Sequence, residues 1–188
     1  MNAVVSEKQL LKLDLGCGPN KKVGFLGVDS RKFDNVDVVC DLTAEWPWED
    51  DSVEEIHMSH VLEHFTAHER VHIANEMHRV LIKGGKATIV TPHWANHRAF
   101  GDPTHQWPPV SEMWYCYLQL GWRKSQAPHT DIDWNSNGFK CDFDWQTVHT
   151  FDTTQNGKFV GRNSEYIGFA LANYRDSVVD LQAVITKR

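Results

Sequence analysis

Short apolar runs are the feature that most constrains the fold of this 188-residue chain. Buried strands of parallel sheets commonly appear as such runs, bounded by glycine, acidic or polar residues. The predicted strands are LKLDL (11–15), FLGVD (25–29), VDVVC (36–40), EEIHMS (54–59) and KATIVTP (86–92). A helical pattern lies between the last two. Strands and a helix in this order indicate an α/β sheet.

The predicted helix has sequence signals at both ends. Thr66 and Glu69 have the spacing of a capping box at its start, and Gly84-Gly85 is expected to stop it. Apolar residues that share one helical face are Ile73, Met77, Val80 and Leu81. The helix is therefore expected to pack against the sheet through this face.

A long loop and a second group of strands are predicted after residue 92. The loop HWANHRAFGDPTHQWPP (93–109) contains one glycine and three prolines, which exclude a long helix. Further predictions are a helix over 110–120, a strand over 139–146 with Phe139, Cys141, Phe143 and Trp145 on one side, a tight turn at Asn156-Gly157, a helix capped by Asn163 and a last strand over 177–187.

Composition bounds the class of protein. Length and a hydrophobic content of 41% fit a single domain over 1–188, and the formal charge of −6 works against binding to nucleic-acid phosphates or an anionic membrane. No run approaches the roughly 20 apolar residues of a membrane span, and no signal-peptide core is visible, so we expect a cytoplasmic protein. The four cysteines are dispersed, which argues against a zinc knuckle or a disulfide framework.

A glycine turn follows the first predicted strand. In DLGCG (14–18) the missing β-carbons would let a ligand approach the backbone at the carboxyl end of the sheet. Dinucleotide-binding turns have the pattern G-x-G-x-x-G, but here Gly18 is followed by Pro19, Asn20 and Lys21. The missing third glycine disfavours a dinucleotide.

Residues 10–92 resemble the class I S-adenosylmethionine-dependent methyltransferases. The motifs that carry the resemblance are LDLGCG (13–18), GVD with Asp29, CDL with Asp41, SHVLEH (59–64) and EMHRVLIKGG (76–85). The resemblance implies a Rossmann-like α/β fold, with a mostly parallel seven-stranded sheet and an antiparallel C-terminal strand. It also implies S-adenosylmethionine as cofactor, bound by residues 10–92, with the acceptor loop and the last strands in residues 93–188.

The same resemblance implies individual roles at the cofactor site. Asp29 would accept hydrogen bonds from the ribose hydroxyls, and Asp41 and Leu42 would border the adenine. The glycine turn would lie against the amino-acid end, where Asp14 would hold the ammonium group. The implied cofactor-binding residues are Asp14, Gly16, Cys17, Gly18, Asp29, Ser30, Asp41, Leu42, Ser59 and His60.

The first helix of the family pattern has little room in this chain. Only eight residues separate Gly18 from Gly27, whereas a strand-helix-strand crossover usually needs a dozen or more. The sequence therefore predicts a shortened or absent first helix. This departure resembles a subset of methyltransferases with GCGPNKK-like turns and DPTHQWPP-like loops, and it leaves one flank of the methionine end less covered.

The loop after the fifth strand carries the candidate acceptor chemistry. Its polar candidates are His93, His97, Asp102 and His105. In one interpretation one of them is a general base, a role that histidine fills near neutral pH. In a second they hold a divalent metal ion, and in a third the imidazoles only tie the loop to backbone carbonyls. Trp94 and Trp107 are candidates to stack a planar or sugar-like acceptor, although core positions are the alternative.

The functional hypothesis is methyl transfer to an oxygen, and with less support a nitrogen, of a small-molecule or glycan-like acceptor. The charge disfavours a nucleic-acid acceptor, no membrane partner is expected, and the oligomeric state is open. Two alternatives of other classes stay open: a non-catalytic S-adenosylmethionine-binding or partner protein on the same fold, and a metal-dependent hydrolase that uses the His93–His105 loop.

Overall fold

One seven-stranded sheet organises the computed structural model, which describes residues 10–130, 138–151 and 161–188. Its strands are β1 (Leu11–Leu15), β2 (Leu26–Asp29), β3 (Val38–Val39), β4 (Val53–Ser59), β5 (Leu81–Pro92), β6 (Phe143–Thr150) and β7 (Asp180–Lys187). Their order across the sheet is β3-β2-β1-β4-β5-β7-β6. All pairs among the first five strands are parallel, and β7 is antiparallel to both β5 and β6. The predicted fold class, with its antiparallel C-terminal strand, is confirmed.

The described residues contain five α-helices and one 3-10 turn. They are a 3-10 turn at Leu62–His64, α1 (Ala67–Val80), α2 (Arg98–Gly101), α3 (Glu112–Cys116), α4 (Leu120–Gln126) and α5 (Ser164–Asn173). Thr66 and Glu69 form both hydrogen bonds of the predicted capping box, and the Asn163 side chain caps α5 by accepting from the Tyr166 amide. None of the helices in the described ranges is long and apolar enough to cross a bilayer.

The predicted end of α1 is wrong by four residues. The helix ends at Val80, and Leu81 already has extended backbone angles and pairs with Val53 as the first residue of β5. Leu81 is fully buried, so its packing in the sheet takes precedence over continued helix. Gly84 and Gly85 therefore lie within the first part of β5, where the register with β4 shifts.

Two predictions for the C-terminal half need correction. The helix expected over 110–120 is divided into α3 and α4, because Leu118 is buried between them and its carbonyl accepts from the Phe143 amide at 3.0 Å. The strand expected over 139–146 begins later, at Phe143, although Phe139 and Cys141 are buried as predicted. The turn predicted at Asn156-Gly157 lies outside the described residues.

The sheet has one fully buried face. Its side chains are Leu13, Leu15, Ile56, Met58, Ala87, Ile89, Ala183 and Ile185, all inaccessible to solvent. Each large apolar side chain of this kind stabilises the fold by about 1.5–3 kcal/mol. Alternate residues on the opposite face, such as His57, Thr88 and Gln182, are only half-buried. The core therefore lies mainly on one side of the sheet.

No helix lies between β1 and β2, which confirms the shortened crossover. Side-chain hydrogen bonds hold this turn (residues 16–25) instead. The Asp14 carboxylate accepts from the Lys22 amide at 2.7 Å, and the Asp29 carboxylate accepts from the Gly18 amide at 2.9 Å. The turn is thus held from both strands that it connects.

Candidate cofactor and acceptor clefts

The glycine turn requires its glycines for two reasons. Gly16 and Gly18 have φ angles of +66° and +53°, a region that side chains with a β-carbon rarely adopt. A β-carbon on Gly16 would also lie 2.4 Å from Val61 Cγ2, whereas one on Gly18 would meet nothing within 4 Å. Gly16 therefore allows the turn to pack directly on the segment that follows β4.

Asp29 lies at the end of β2 with 6% of its surface exposed. One carboxylate oxygen accepts from the Gly18 amide and the other from the Arg31 amide, both at 2.9 Å. Because a carboxylate has about four lone-pair positions, it can still accept from a ligand. The same residue thus fixes the turn and faces the cleft beside it.

A cleft of about 440 Å³ lies at the carboxyl ends of β1, β2 and β4. Six predicted cofactor-binding residues line it: Gly16, Asp29, Ser30, Asp41, Leu42 and His60. We call it the cofactor cleft. Other lining residues include Val61, His64, Phe65 and Thr104. Its position matches the ligand site of open parallel sheets, outside the strands' carboxyl ends.

The other four predicted residues do not line this cleft: Asp14, Cys17, Gly18 and Ser59. Asp14 is 4% exposed, and its two oxygens accept from the Lys22 amide and contact His57 Nδ1, each at 2.7 Å. The structure gives Asp14 a role in fixing the turn. Contact between Asp14 and the cofactor's ammonium group stays a prediction.

A second cleft, of about 620 Å³, adjoins the first. It is lined by His60, Glu63, His64, Pro92, His97, Arg98, Gly101, Asp102, Pro103 and His105. We call it the acceptor cleft. His60 and His64 line both clefts and so form the wall between them. A ligand in one cleft would therefore lie beside a ligand in the other.

The four candidates from the loop do not converge. His97 Nδ1 turns to the Asp176 carboxylate at 3.0 Å, with 74% of its side chain exposed. Hydrogen bonds from Thr104 hold the pKa of Asp102 below its usual range. His93 is buried and does not line the acceptor cleft. The short helix α2 separates His97 from His105, so the predicted four-ligand metal set does not form.

Two other groups of histidine and glutamate form instead in the described part of the chain: His93 with Glu112 and His149, and Glu63 with His64 and His105. In each group the ligand atoms all lie within 4.8 Å of one another. Sequence reasoning missed Glu63, His64, Glu112 and His149. Glu63 and His64 did carry a signal, since they directly follow the end of β4.

His60 has an unusual backbone. Its φ angle is +56°, which is uncommon for a residue with a β-carbon and is found most often at functional sites. Its Nδ1 lies 3.4 Å from a Glu63 carboxylate oxygen, and this carboxylate raises the pKa of His60.

A larger cleft, of about 710 Å³, lies beside α1. Its lining includes His72, Arg79 and Lys187, and none of the predicted cofactor or acceptor residues. None of its lining residues lies at the carboxyl end of β1 or β2. Its size alone therefore does not mark it as the functional site.

Comparison with known proteins agrees with the observed fold. A methyltransferase-domain family model matches residues 24–89, about a third of the chain. A search of curated proteins found no significant match.

Solved structures share the fold at low sequence identity. An S-adenosylmethionine-dependent methyltransferase from Archaeoglobus fulgidus is 17% identical, with a TM-score of 0.60 over 96% of this chain and 87% of that one. A chain from a complex of the Haloferax volcanii Trm112 methyltransferase activator with a methyltransferase is 18% identical, with a TM-score of 0.53 over 97% and 84%.

The family match and the fold indicate an S-adenosylmethionine-dependent methyltransferase of the class that the sequence motifs resemble. The chain departs from the common pattern of that class by having no helix between its first two strands, a stretch that the structure describes in full. The family match begins at residue 24, after the glycine turn that departs from the common pattern.

Proposed function

We propose that this methyltransferase transfers the methyl group of S-adenosylmethionine to an oxygen of a small-molecule or glycan-like acceptor. The observation that carries the proposal is the pair of adjoining clefts, which share His60 and His64. Methyl transfer is an in-line displacement, so the protein must hold the acceptor beside the cofactor's sulfonium. Two neighbouring clefts with a common wall supply this arrangement.

The cofactor cleft offers groups for each part of S-adenosylmethionine. Asp29 has lone pairs left for the ribose hydroxyls, and Asp41 has one oxygen that the Thr43 hydrogen bonds do not use. Leu42 presents an apolar surface for the adenine. The exposed backbone at Gly16 allows close approach of the amino-acid end. Three further predicted residues do not line the cleft and would support its lining only through the backbone of the turn and of β4: Cys17, Gly18 and Ser59.

The acceptor cleft is rich in groups that handle protons. A hydroxyl acceptor must lose its proton during methyl transfer, whereas a neutral amine attacks before it loses one. We place His105 first as the proton acceptor, because it lines the cleft while only 10% of its side chain is exposed, so an acceptor in the cleft could reach it. Asp102 follows; His97 and His93 are weaker candidates, because one turns outward and the other lies behind the cleft. A nitrogen acceptor is the second choice.

Exposed aromatic side chains beside the loop favour a sugar-like or planar acceptor. Trp94, Phe100 and Trp107 are 43%, 50% and 76% exposed, and they line one shallow apolar surface. A contiguous exposed apolar patch, unlike a single exposed apolar side chain, often marks a binding site. Because Phe100 and Trp107 flank the residues of the acceptor cleft, they would hold the remote part of such an acceptor. The family match favours methyl transfer over the hydrolase alternative.

Calorimetric titration with S-adenosylmethionine and S-adenosylhomocysteine tests the cofactor half of the proposal. We expect Asp29→Ala to weaken binding at least about 100-fold, because two hydrogen bonds to a charged acceptor are lost. Asp34→Ala is the matched control, since this exposed carboxylate of the neighbouring loop does not line the cleft. Equal affinity in wild type and Asp29→Ala would contradict the proposed site.

A further inference from the structure

We propose that Glu63, His64 and His105 form a binding site for a divalent transition-metal ion in the wall between the two clefts. All three residues line the acceptor cleft, and His64 also lines the cofactor cleft. Two imidazoles and one carboxylate are a ligand set that suits zinc and its neighbours among the transition metals. The hydrogen bonds around each residue support this assignment.

Glu63 is a buried carboxylate that has one long contact, with the His60 imidazole, and no hydrogen bond of good geometry in the described ranges. Only 4% of its surface is exposed, and no donor in the described ranges forms a hydrogen bond to either of its oxygens. The ion-pair contact with His60 Nδ1 at 3.4 Å involves one oxygen only. Burying a carboxylate without hydrogen bonds is costly, and buried charges are normally paired or bound to a metal. A cation between Glu63 and the two imidazoles would remove this cost.

His64 and His105 both present an unprotonated Nε2. Thr104 donates its single hydroxyl proton to Asp102 at 2.7 Å, so its oxygen must accept from His64 Nδ1 at 2.9 Å. His105 Nδ1 contacts the Ala99 carbonyl at 3.4 Å, and a carbonyl can only accept. Each imidazole therefore carries its proton on Nδ1. Histidines that bind metals show this same arrangement, with the outer nitrogen donating to an oxygen.

The second histidine–glutamate group has the opposite arrangement. The Ala95 amide donates to His93 Nδ1 at 3.2 Å, which puts the His93 proton on Nε2. That Nε2 faces Glu112, whose carboxylate also accepts from His149 at 2.7 Å and from Trp94 at 2.9 Å. Glu112 is thus satisfied by three N–H donors. This group needs no ion and serves as an internal control.

The backbone brings the three proposed ligands together from distant parts of the sequence. The Gln106 amide donates to the Glu63 carbonyl at 2.9 Å and so fixes the loop beside the turn after β4. The buried Arg70 guanidinium donates to four carbonyls of the same two segments: Leu62, Glu63, Gln106 and Pro108. Metal–nitrogen bonds of about 2.0–2.1 Å would require the ligand atoms, which now lie within 4.8 Å of one another, to move closer together. Side-chain rotations on this fixed backbone can supply that movement.

A three-ligand site leaves coordination positions open toward the acceptor cleft. A metal ion there would lower the pKa of a hydroxyl acceptor and so favour its deprotonation. This catalytic role rests on the proposed function, and with the ion bound it would replace proton acceptance by His105, whose basic nitrogen would then be a ligand. Binding of the ion itself does not, and it can be measured without cofactor or acceptor.

Cobalt titration of the metal-stripped full chain tests the site. Unlike Zn²⁺, Co²⁺ absorbs visible light, and its absorption bands depend on the ligands that bind it. We expect one Co²⁺ per chain, displaced by Zn²⁺. Glu63→Gln and His105→Ala should each weaken the affinity for Co²⁺ by about 10-fold to 100-fold and change the absorption spectrum. Thr104→Val, which removes the acceptor for His64 Nδ1, should weaken affinity by a similar factor without removing a ligand.

Glu112→Gln is the matched control, because it alters the same kind of carboxylate in the other histidine–glutamate group, where three N–H donors already hydrogen-bond to it. It should leave cobalt affinity and spectrum unchanged, and circular dichroism should show that each variant is folded. Absence of stoichiometric cobalt binding would overturn the proposal, as would loss of binding in Glu112→Gln with retention in Glu63→Gln. Cobalt binding without binding of S-adenosylmethionine would instead leave the metal site standing and refute the proposed function.

Discussion

Glu112 shows how a single carboxylate can hold several elements together. Burial acts to raise the pKa of its carboxyl, but the hydrogen bonds from His149 and His93 outweigh burial and hold that pKa well below its ordinary value. His93 follows β5, Glu112 begins α3 and His149 belongs to β6. The three residues therefore join the loop, a helix and the sheet edge at one point.

Replacing this carboxylate should make stability less dependent on pH. A group whose pKa is lowered by folding stabilises the protein above its unfolded pKa, about 4.3 for glutamate, and this stabilisation is lost as the pH falls toward the folded pKa. We expect Glu112→Gln to lower the free energy of unfolding by about 1–3 kcal/mol at pH 7. The difference from wild type should shrink below about pH 4.3. Urea unfolding of both proteins at several pH values measures it; a pH-independent difference would contradict the assignment.

The cofactor cleft was more predictable from sequence than the acceptor cleft, for a physical reason. Gly16, Asp29 and Asp41 each stand at the end of a short strand, and parallel strands bring such ends together whatever the rest of the chain does. The group of Glu63, His64 and His105 depends on how one loop folds back over another. That contact is fixed by Arg70 and the Gln106 amide, and neither leaves a periodic pattern in the sequence.

At the scale of elements, two glycines in the turn of residues 16–25 separate the effect of backbone strain from that of steric clash. Gly16 and Gly18 share a positive φ angle, but only at Gly16 would a β-carbon meet another side chain. Val61, which it would meet, belongs to the wall of the cofactor cleft. A substitution at Gly16 therefore acts on the turn and on the cleft together.

We predict that Gly18→Ala lowers the free energy of unfolding by about 1–2 kcal/mol through backbone strain alone. Gly16→Ala should lower it by about 2–5 kcal/mol, since the clash with Val61 adds about 1–3 kcal/mol. Chemical denaturation measures both values. Adding Val61→Ala should recover part of the loss in Gly16→Ala and none in Gly18→Ala, and equal losses in the two single variants would refute the clash.

The helix ends show where local signals fail. The capping box at Thr66 and Glu69 was predictable because it depends on contacts between two residues only three positions apart. The end of α1 was not, because Leu81 leaves the helix to pair with Val53, which precedes it by 28 positions. Likewise, α3 and α4 are separated by the contact of Leu118 with Phe143. In both cases a distant partner in the sheet determines the boundary.

On the scale of the whole molecule, the sheet is unevenly covered. Its fully buried face packs the core, while the face that carries His57, Thr88 and Gln182 is half-buried. The apolar runs were sufficient to predict the strands, because both faces of a central strand still exclude most solvent. The mostly parallel sheet with an antiparallel C-terminal strand was predicted from the family resemblance, since strand periodicity contains no information about which strands are neighbours.

Ligand binding should alter hydrogen exchange unevenly across this structure. With excess S-adenosylhomocysteine, we expect slower amide exchange in residues 16–25 and at the ends of β2 and β4, where the cofactor cleft lies. Exchange in α5 should stay the same, because none of its residues lines the cleft. Mass spectrometry of exchanged peptides measures both regions. A uniform change, or no change in the turn, would contradict the assigned cleft.

The absence of a helix between β1 and β2 has a kinetic consequence. A helix opens as a cooperative unit, whereas this turn is held by separate hydrogen bonds to Asp14 and Asp29 that each contribute about 0.5–1.5 kcal/mol. Opening the turn to release a cofactor from the proposed site therefore requires few broken bonds and leaves the sheet intact. Apart from Gly16 and Gly18, single substitutions in this turn should accordingly change the residence time of that cofactor with little change in the melting temperature of the protein.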